Sequence, residues 1–241
     1  MSETTTADPK APGTHAPFWE DIVDIYLAPR SVFERRRDAS YVPALITITL
    51  AVTVLMVPFQ LSMGDVMAAA MREALANSGA EIPTAQLEQM ARVSLFTAPL
   101  GALVVTPIAA LLTGLVIWGT AALFGARMTF KAGVLIATFA AFPRVWTMIT
   151  STLQATLLSP TGPHQVSLGP ARFMDAAGSP VLVAALGRLD ILVLWSAALV
   201  AVGVATVAGA PRGRAWAVAA VVWVVSSLPA IAGPLFMSMN R

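Results

Sequence analysis

The chain has 241 residues, 57% of them hydrophobic and 12% charged, with no cysteine and a formal net charge of +2. Soluble domains average about 45–50% apolar and about 25% charged residues, so this composition is that of an integral membrane protein. It excludes disulfide frameworks, thiolate metal sites and cysteine nucleophiles, and the small net charge gives no footing for nucleic-acid binding.

Residues 1–17 are polar, rich in Thr, Pro and Ala, and lack the continuous apolar stretch of a secretory signal peptide. They predict a disordered cytoplasmic tail, in which His15 stands alone. Residues 18–38, "FWEDIVDIYLAPRSVFERRRD", form an amphipathic segment. Phe18, Trp19, Ile22, Val23 and Tyr26 make an apolar face, and Glu20, Asp21 and Asp24 lie opposite. Pro29 breaks the helix, and Val32 and Phe33 precede Arg35, Arg36 and Arg37. This predicts either an interfacial anchor with a positive-inside stop or a docking face for a cytoplasmic partner.

Residues 39–241 hold five apolar segments, near 42–61, 97–124, 132–157, 189–208 and 215–236. Each is long enough to cross a bilayer, which takes about 20 helical residues. Lys and Arg divide nine to five between the alternate sides of these segments, the larger share flanking Lys10, the Arg127–Lys131 turn and the Arg212–Arg214 turn. That asymmetry places the N-terminus in the cytoplasm and the C-terminus outside. The expected fold is all-α: a polytopic membrane bundle of five transmembrane helices, with outer loops at about 62–96 and 158–188.

In the first outer loop, Met63, Val66, Met67, Ala70, Met71, Ala74 and Leu75 recur at helical spacing, predicting a short amphipathic helix lying on the bilayer. Met63, Met67 and Met71, with Met56 and Met90 near, are soft ligands of the kind that hold Cu(I), but methionine is also ordinary apolar filler. No His or Cys supports a metal there, so no metal and no cofactor is assigned. The second outer loop, with an isolated His164, is turn chemistry. Small residues recur every four positions at Ala102–Thr106–Ala110–Gly114, Gly133–Ala137–Ala141 and Ala197–Ala201–Ala205–Gly209, predicting close helix contacts.

The third segment is the most polar. Arg144, Thr147, Ser151 and Gln154 share one face, and ionisable groups inside membranes mark functional paths or buried pairs. Asp190 is the one charge in another span, so Arg144 and Asp190 are expected to pair. No H-E-x-x-H, G-x-S-x-G, S-x-x-K or phosphate-binding glycine loop is present, and the chain reads as no enzyme.

Four stretches together resemble the Yip family, whose members interact with Ypt/Rab GTPases, and its bacterial branch in particular. They are "IYLAPRSVF", "FKAGVLIATFAAFP", "LGRLDILVLW" and "GAPRGRAW", and they cover most of 19–223. Asp24, Tyr26 and Pro29 are similar to the family's Asp-Leu-Tyr-Gly-Pro motif, with one additional residue before the proline. Gly133, Phe139 and Pro143 are similar to its Gly…Tyr…Pro motif, with Phe in place of Tyr. The resemblance implies five spans, a cytoplasmic N-terminus and an adaptor-like role without catalysis, and the expected location is the cell (inner) membrane. The expected partners are the lipid bilayer and another membrane or cytoplasmic protein. The alternative is a small transporter or channel that uses the polar face of the third helix.

Overall fold

A computed structural model describes residues 17–77, 83–174 and 179–239. The expected free tail, with Lys10 and His15, lies outside the described residues, as does Arg241. Among the described residues the fold is all-helical, without strands. In chain order the helices are α1 (Phe18–Leu27), α2 (Pro29–Arg36), α3 (Val42–Asn77), α4 (Thr84–Leu123), α5 (Phe130–Ala140), α6 (Pro143–Leu158), α7 (Pro180–Gly187), α8 (Ile191–Val207) and α9 (Arg212–Met239).

Four spans are long and apolar enough to cross a membrane: Val42–Arg72, Arg92–Leu123, Phe130–Leu158 and Arg212–Phe236. The pair α7 and α8, bent by 48° at residues 188–190, makes a fifth when counted as one broken span. The third span is the axis of the bundle: 67% of its most apolar 18-residue stretch is buried, against 22–28% for the same stretch of the other three. The reason lies in its composition. Residues 132–140 of α5 are all buried, and Gly133 lets the helix approach α4 so closely that a Cβ there would sit 2.5 Å from the Gly114 carbonyl oxygen. The predicted small-residue face of α4 is likewise buried, at Ala102, Thr106 and Ala110. On α8 the close approach falls elsewhere than expected. Gly209 is exposed, and Gly203 is the residue with no room for a side chain, against Ile136.

Apart from Pro83, the described residues of the first outer loop are helical. Residues 62–77 continue α3 without a break, so the expected separate helix lying on the bilayer does not form. Nothing between 61 and 77 stops a helix: Gly64 sits in open space within it, and Pro58 is accommodated inside it. At about 1.5 Å per residue, the 36 residues of α3 and 40 of α4 outrun a hydrocarbon layer about 30 Å thick. The two helices therefore pack as a long hairpin that extends past the bilayer at one end. Met63 is buried against Ala155 and Val166, whereas Met67 and Met71 are exposed. Residues 158–188 hold two 3-10 turns, Pro163–Val166 and Pro170–Phe173, followed by α7.

Candidate functional site

The helix pair α1–α2 is anchored by charge. Pro29 opens α2 after Ala28 leaves helical geometry, as proline favours at a first helical position, and the chain turns back on itself. Asp21 is thereby brought to Arg35 and Arg36. Arg35 Nη2 donates to Asp21 at 2.7 Å and to Asp24 at 2.7 Å, Arg36 Nε donates to the other Asp21 oxygen, and the Arg36 guanidinium stacks 5.8 Å over the Phe18 ring. Asp21 is fully buried. Burial opposes the charge on Arg35, but its hydrogen bonds to Asp21 and Asp24 outweigh this and hold the guanidinium above its ordinary range.

Apolar contacts seat the same pair on the bundle. Ile25, Val32 and Phe33 are fully buried, and Phe33 meets Phe139 edge-on at 6.0 Å. Tyr26 donates its hydroxyl to the Phe142 carbonyl at 2.8 Å and packs edge-on to Trp146. Burial pushes the phenol up to about 12, so it remains a donor at ordinary pH. The buried face of α1 is thus rotated from the expected one. Asp21, assigned to the polar side, is inside, while Trp19 and Val23, assigned to the anchoring face, are 64% and 52% exposed. The apolar arc of α1 is wider than the bundle covers. Phe18, Ile22, Ile25 and Tyr26 face in; Trp19, Val23 and Leu27 form an outward ridge. Arg37 is exposed.

Beside that ridge, a cleft of about 780 Å³ opens between the α1–α2 hinge and the α8–α9 turn, with Ala28, Pro29, Arg30, Glu34, Arg212 and Trp216 on its walls. Arg30 pairs with Glu34 at 2.8 Å across an exposed turn of α2.

The polar face of the third span divides. Arg144, itself exposed, and Thr147 line an open cleft of about 450 Å³ in the side of the bundle, with the Thr147 hydroxyl donating back to the Pro143 carbonyl at 3.3 Å. Ser151 is buried, and Gln154 donates to the Val166 carbonyl at 3.1 Å, tying α6 to the following loop. The expected ion pair is absent: Arg144 and Asp190 do not meet. Asp190 has a competing task, because the span it belongs to is broken there and the new helix needs a cap. One of its oxygens accepts from Leu192 N at 2.9 Å, and the other from Ser167 Oγ at 2.9 Å and Leu168 N at 2.6 Å. Three donors satisfy the carboxylate locally.

The second arginine on the walls of that cleft is Arg188, which the sequence places at the end of an outer loop. Its Nε donates to Ser227 Oγ at 3.0 Å, and its carbonyl accepts from the Trp223 indole at 3.1 Å. Its signal in the sequence was weak: an arginine between two apolar runs, two residues before the capping aspartate. Asp21 was also missed as an anchor, although an aspartate followed by a proline break and a double arginine carries the needed ingredients.

Among the described residues, no group of three or more His, Asp or Glu side chains is placed to hold a metal. No curated protein and no solved structure matches the chain. The family model of the Yip1 domain matches residues 23–233, from Val23 in α1, after Trp19 and Asp21, through α2 and all the spans nearly to the end of α9. With that match over most of its length, the chain belongs to the Yip1 domain family of multi-pass membrane proteins.

Proposed function

We propose that this protein is a non-enzymatic adaptor or accessory subunit of a membrane transport or envelope system in the cell (inner) membrane. Members of the family interact with other proteins. The observation that carries the reading is the open cleft at the α1–α2 hinge. Its ionisable walls are Arg30 and Arg212 against the single carboxylate of Glu34, and it adjoins the Trp19–Val23–Leu27 ridge. The matching partner is a protein segment with an apolar stripe for the ridge and acidic groups for the arginines. The clamp of Asp21 with Arg35 and Arg36 keeps both surfaces in place before binding, which spares the partner the cost of ordering them. Photo-crosslinkers at Leu27 and Trp216 in native membranes should capture one discrete protein, and Arg212→Glu should abolish that adduct. Crosslinks to lipid alone would overturn the reading.

The Lys and Arg asymmetry supports a cytoplasmic N-terminus and an extracytoplasmic C-terminus. A reporter active only in the cytoplasm should work at the N-terminus and fail after Arg241; activity at both ends would refute that orientation. The cavity lined by Arg144 and Thr147 favours a second reading, a small transporter or channel. Solute flux in liposomes that requires Arg144 would establish it, and absence of flux would leave the adaptor alone.

A further inference from the structure

Arg144 and Arg188 both line one open cleft at mid-depth of the bundle, Arg144 exposed and Arg188 half-buried. Arg144 lies midway along Phe130–Leu158, and Arg188 is tied to Trp223 and Ser227, near the middle of Arg212–Phe236. An ionised side chain at that depth is costly without a counter-charge. The protein supplies little. No carboxylate lines the cavity among the described residues, and the Arg144 guanidinium has no hydrogen bond or ion pair there. Asp190 lies two residues after Arg188, but its oxygens are engaged by Ser167, Leu168 and Leu192.

The cavity is otherwise furnished for a polar guest. Thr113, Thr147, Ser196 and Ser226 contribute hydroxyls among alanine and valine walls. Guanidinium groups match the planar, multidentate acceptor geometry of phosphate and carboxylate; the hydroxyls of Thr147, Ser196 and Ser226 each donate to a carbonyl of their own helix, and one that turns from it can donate to a remaining oxygen. The Nε of Arg188 is already held by Ser227, which fixes the fork without using its terminal nitrogens on a protein carboxylate. A space of about 450 Å³ falls within the range of small-molecule sites, roughly 300–1,000 Å³.

We infer that the cavity between Arg144 and Arg188 binds a phosphate-type oxyanion, carried by a lipid headgroup or by a small soluble anion. The site is independent of either reading of function, because binding is measured without flux or partner capture. The full chain, delipidated in an uncharged detergent, is offered phosphatidylglycerol or phosphatidylcholine and read by native mass spectrometry; inorganic phosphate is titrated separately by equilibrium dialysis. One stoichiometric adduct is expected in one arm, weakened at least tenfold by Arg144→Gln and less by Arg144→Lys. A phosphatidylglycerol adduct identifies a lipid source, and phosphate binding a soluble one. Arg188→Gln should weaken the same adduct, but it also releases Ser227. Arg144→Gln, which removes no hydrogen bond or ion pair among the described residues and should elute and unfold like the parent, is therefore decisive. Binding in neither arm, or equal binding by Arg144→Gln, overturns the site.

Discussion

In the α1–α2 pair, Arg35 and Arg36 close onto Asp21 and Asp24, and a fully buried carboxylate is satisfied by two guanidiniums. In the mid-bundle cleft, Arg144 and Arg188 share the walls with no carboxylate among the described lining residues. The same residue type serves as a structural fastener in the first place and as an open acceptor of charge in the second. What separates them is who supplies the counter-ion. Where the chain supplies it, the charges hold a surface in place; where it does not, they are left for something that arrives.

The comparison breaks most sharply at Asp21. Removing one partner of a buried ion pair costs about 3–5 kcal/mol because the other charge is stranded. Arg35 and Arg36 keep some solvent contact, so Asp21→Asn should fall near the lower end. The loss should appear both in unfolding and as protease cleavage within residues 18–37. A smaller effect is expected at Gly133, the helix contact that serves both regions. α5 carries Phe139 for the Phe33 contact and Ala137 and Ala140 for the cavity wall. A Cβ added at Gly133 would meet backbone, the Gly114 carbonyl oxygen at 2.5 Å, and backbone cannot yield as a flexible side chain can. Gly133→Ala should cost about 1–3 kcal/mol and weaken both the seating of α2 and the cavity's adduct.

Tyr26→Phe is smaller again, about 1 kcal/mol for the lost bond to Phe142. It also carries a pH signature. The phenol is pushed from about 10 up to about 12 on folding, so its contribution is complete below pH 10 and is lost as pH rises toward 12. The parent should lose stability over that window by more than Tyr26→Phe does. An equal alkaline loss in both would show that Tyr26 is not the group responsible.

Much of this architecture was legible in the sequence, and the failures have physical causes. The apolar runs and the composition declare a helical membrane bundle, because backbone in lipid must satisfy its own hydrogen bonds. The small-residue faces of α4 and α5 were readable because only Gly and Ala let those helices meet. The continuation of α3 past residue 61 was not: Met, Ala and Gly there look like an interfacial helix, and periodicity cannot tell whether a helix lies down or goes straight on. The rotation of α1 was hidden because its apolar arc is wide enough to face two ways, and only the position of Arg35 and Arg36 after the Pro29 turn decides which side is buried. The Arg144–Asp190 pair failed because a charge count ignores local demand. A helix start beside Asp190 and the folding of Ser167 and Leu168 over it absorb the carboxylate, and these are tertiary facts.

The most direct test places Asp21→Asn and Arg144→Gln side by side in the same delipidated detergent preparation and measures their unfolding. If the clamp is a fastener and the cavity an unfilled acceptor, Asp21→Asn loses about 3 kcal/mol while Arg144→Gln stays within about 0.5 kcal/mol of the parent, as substitutions free of protein contacts do. A harmless Asp21→Asn, or an Arg144→Gln that costs as much as the clamp, would contradict the division of the arginines into these two roles.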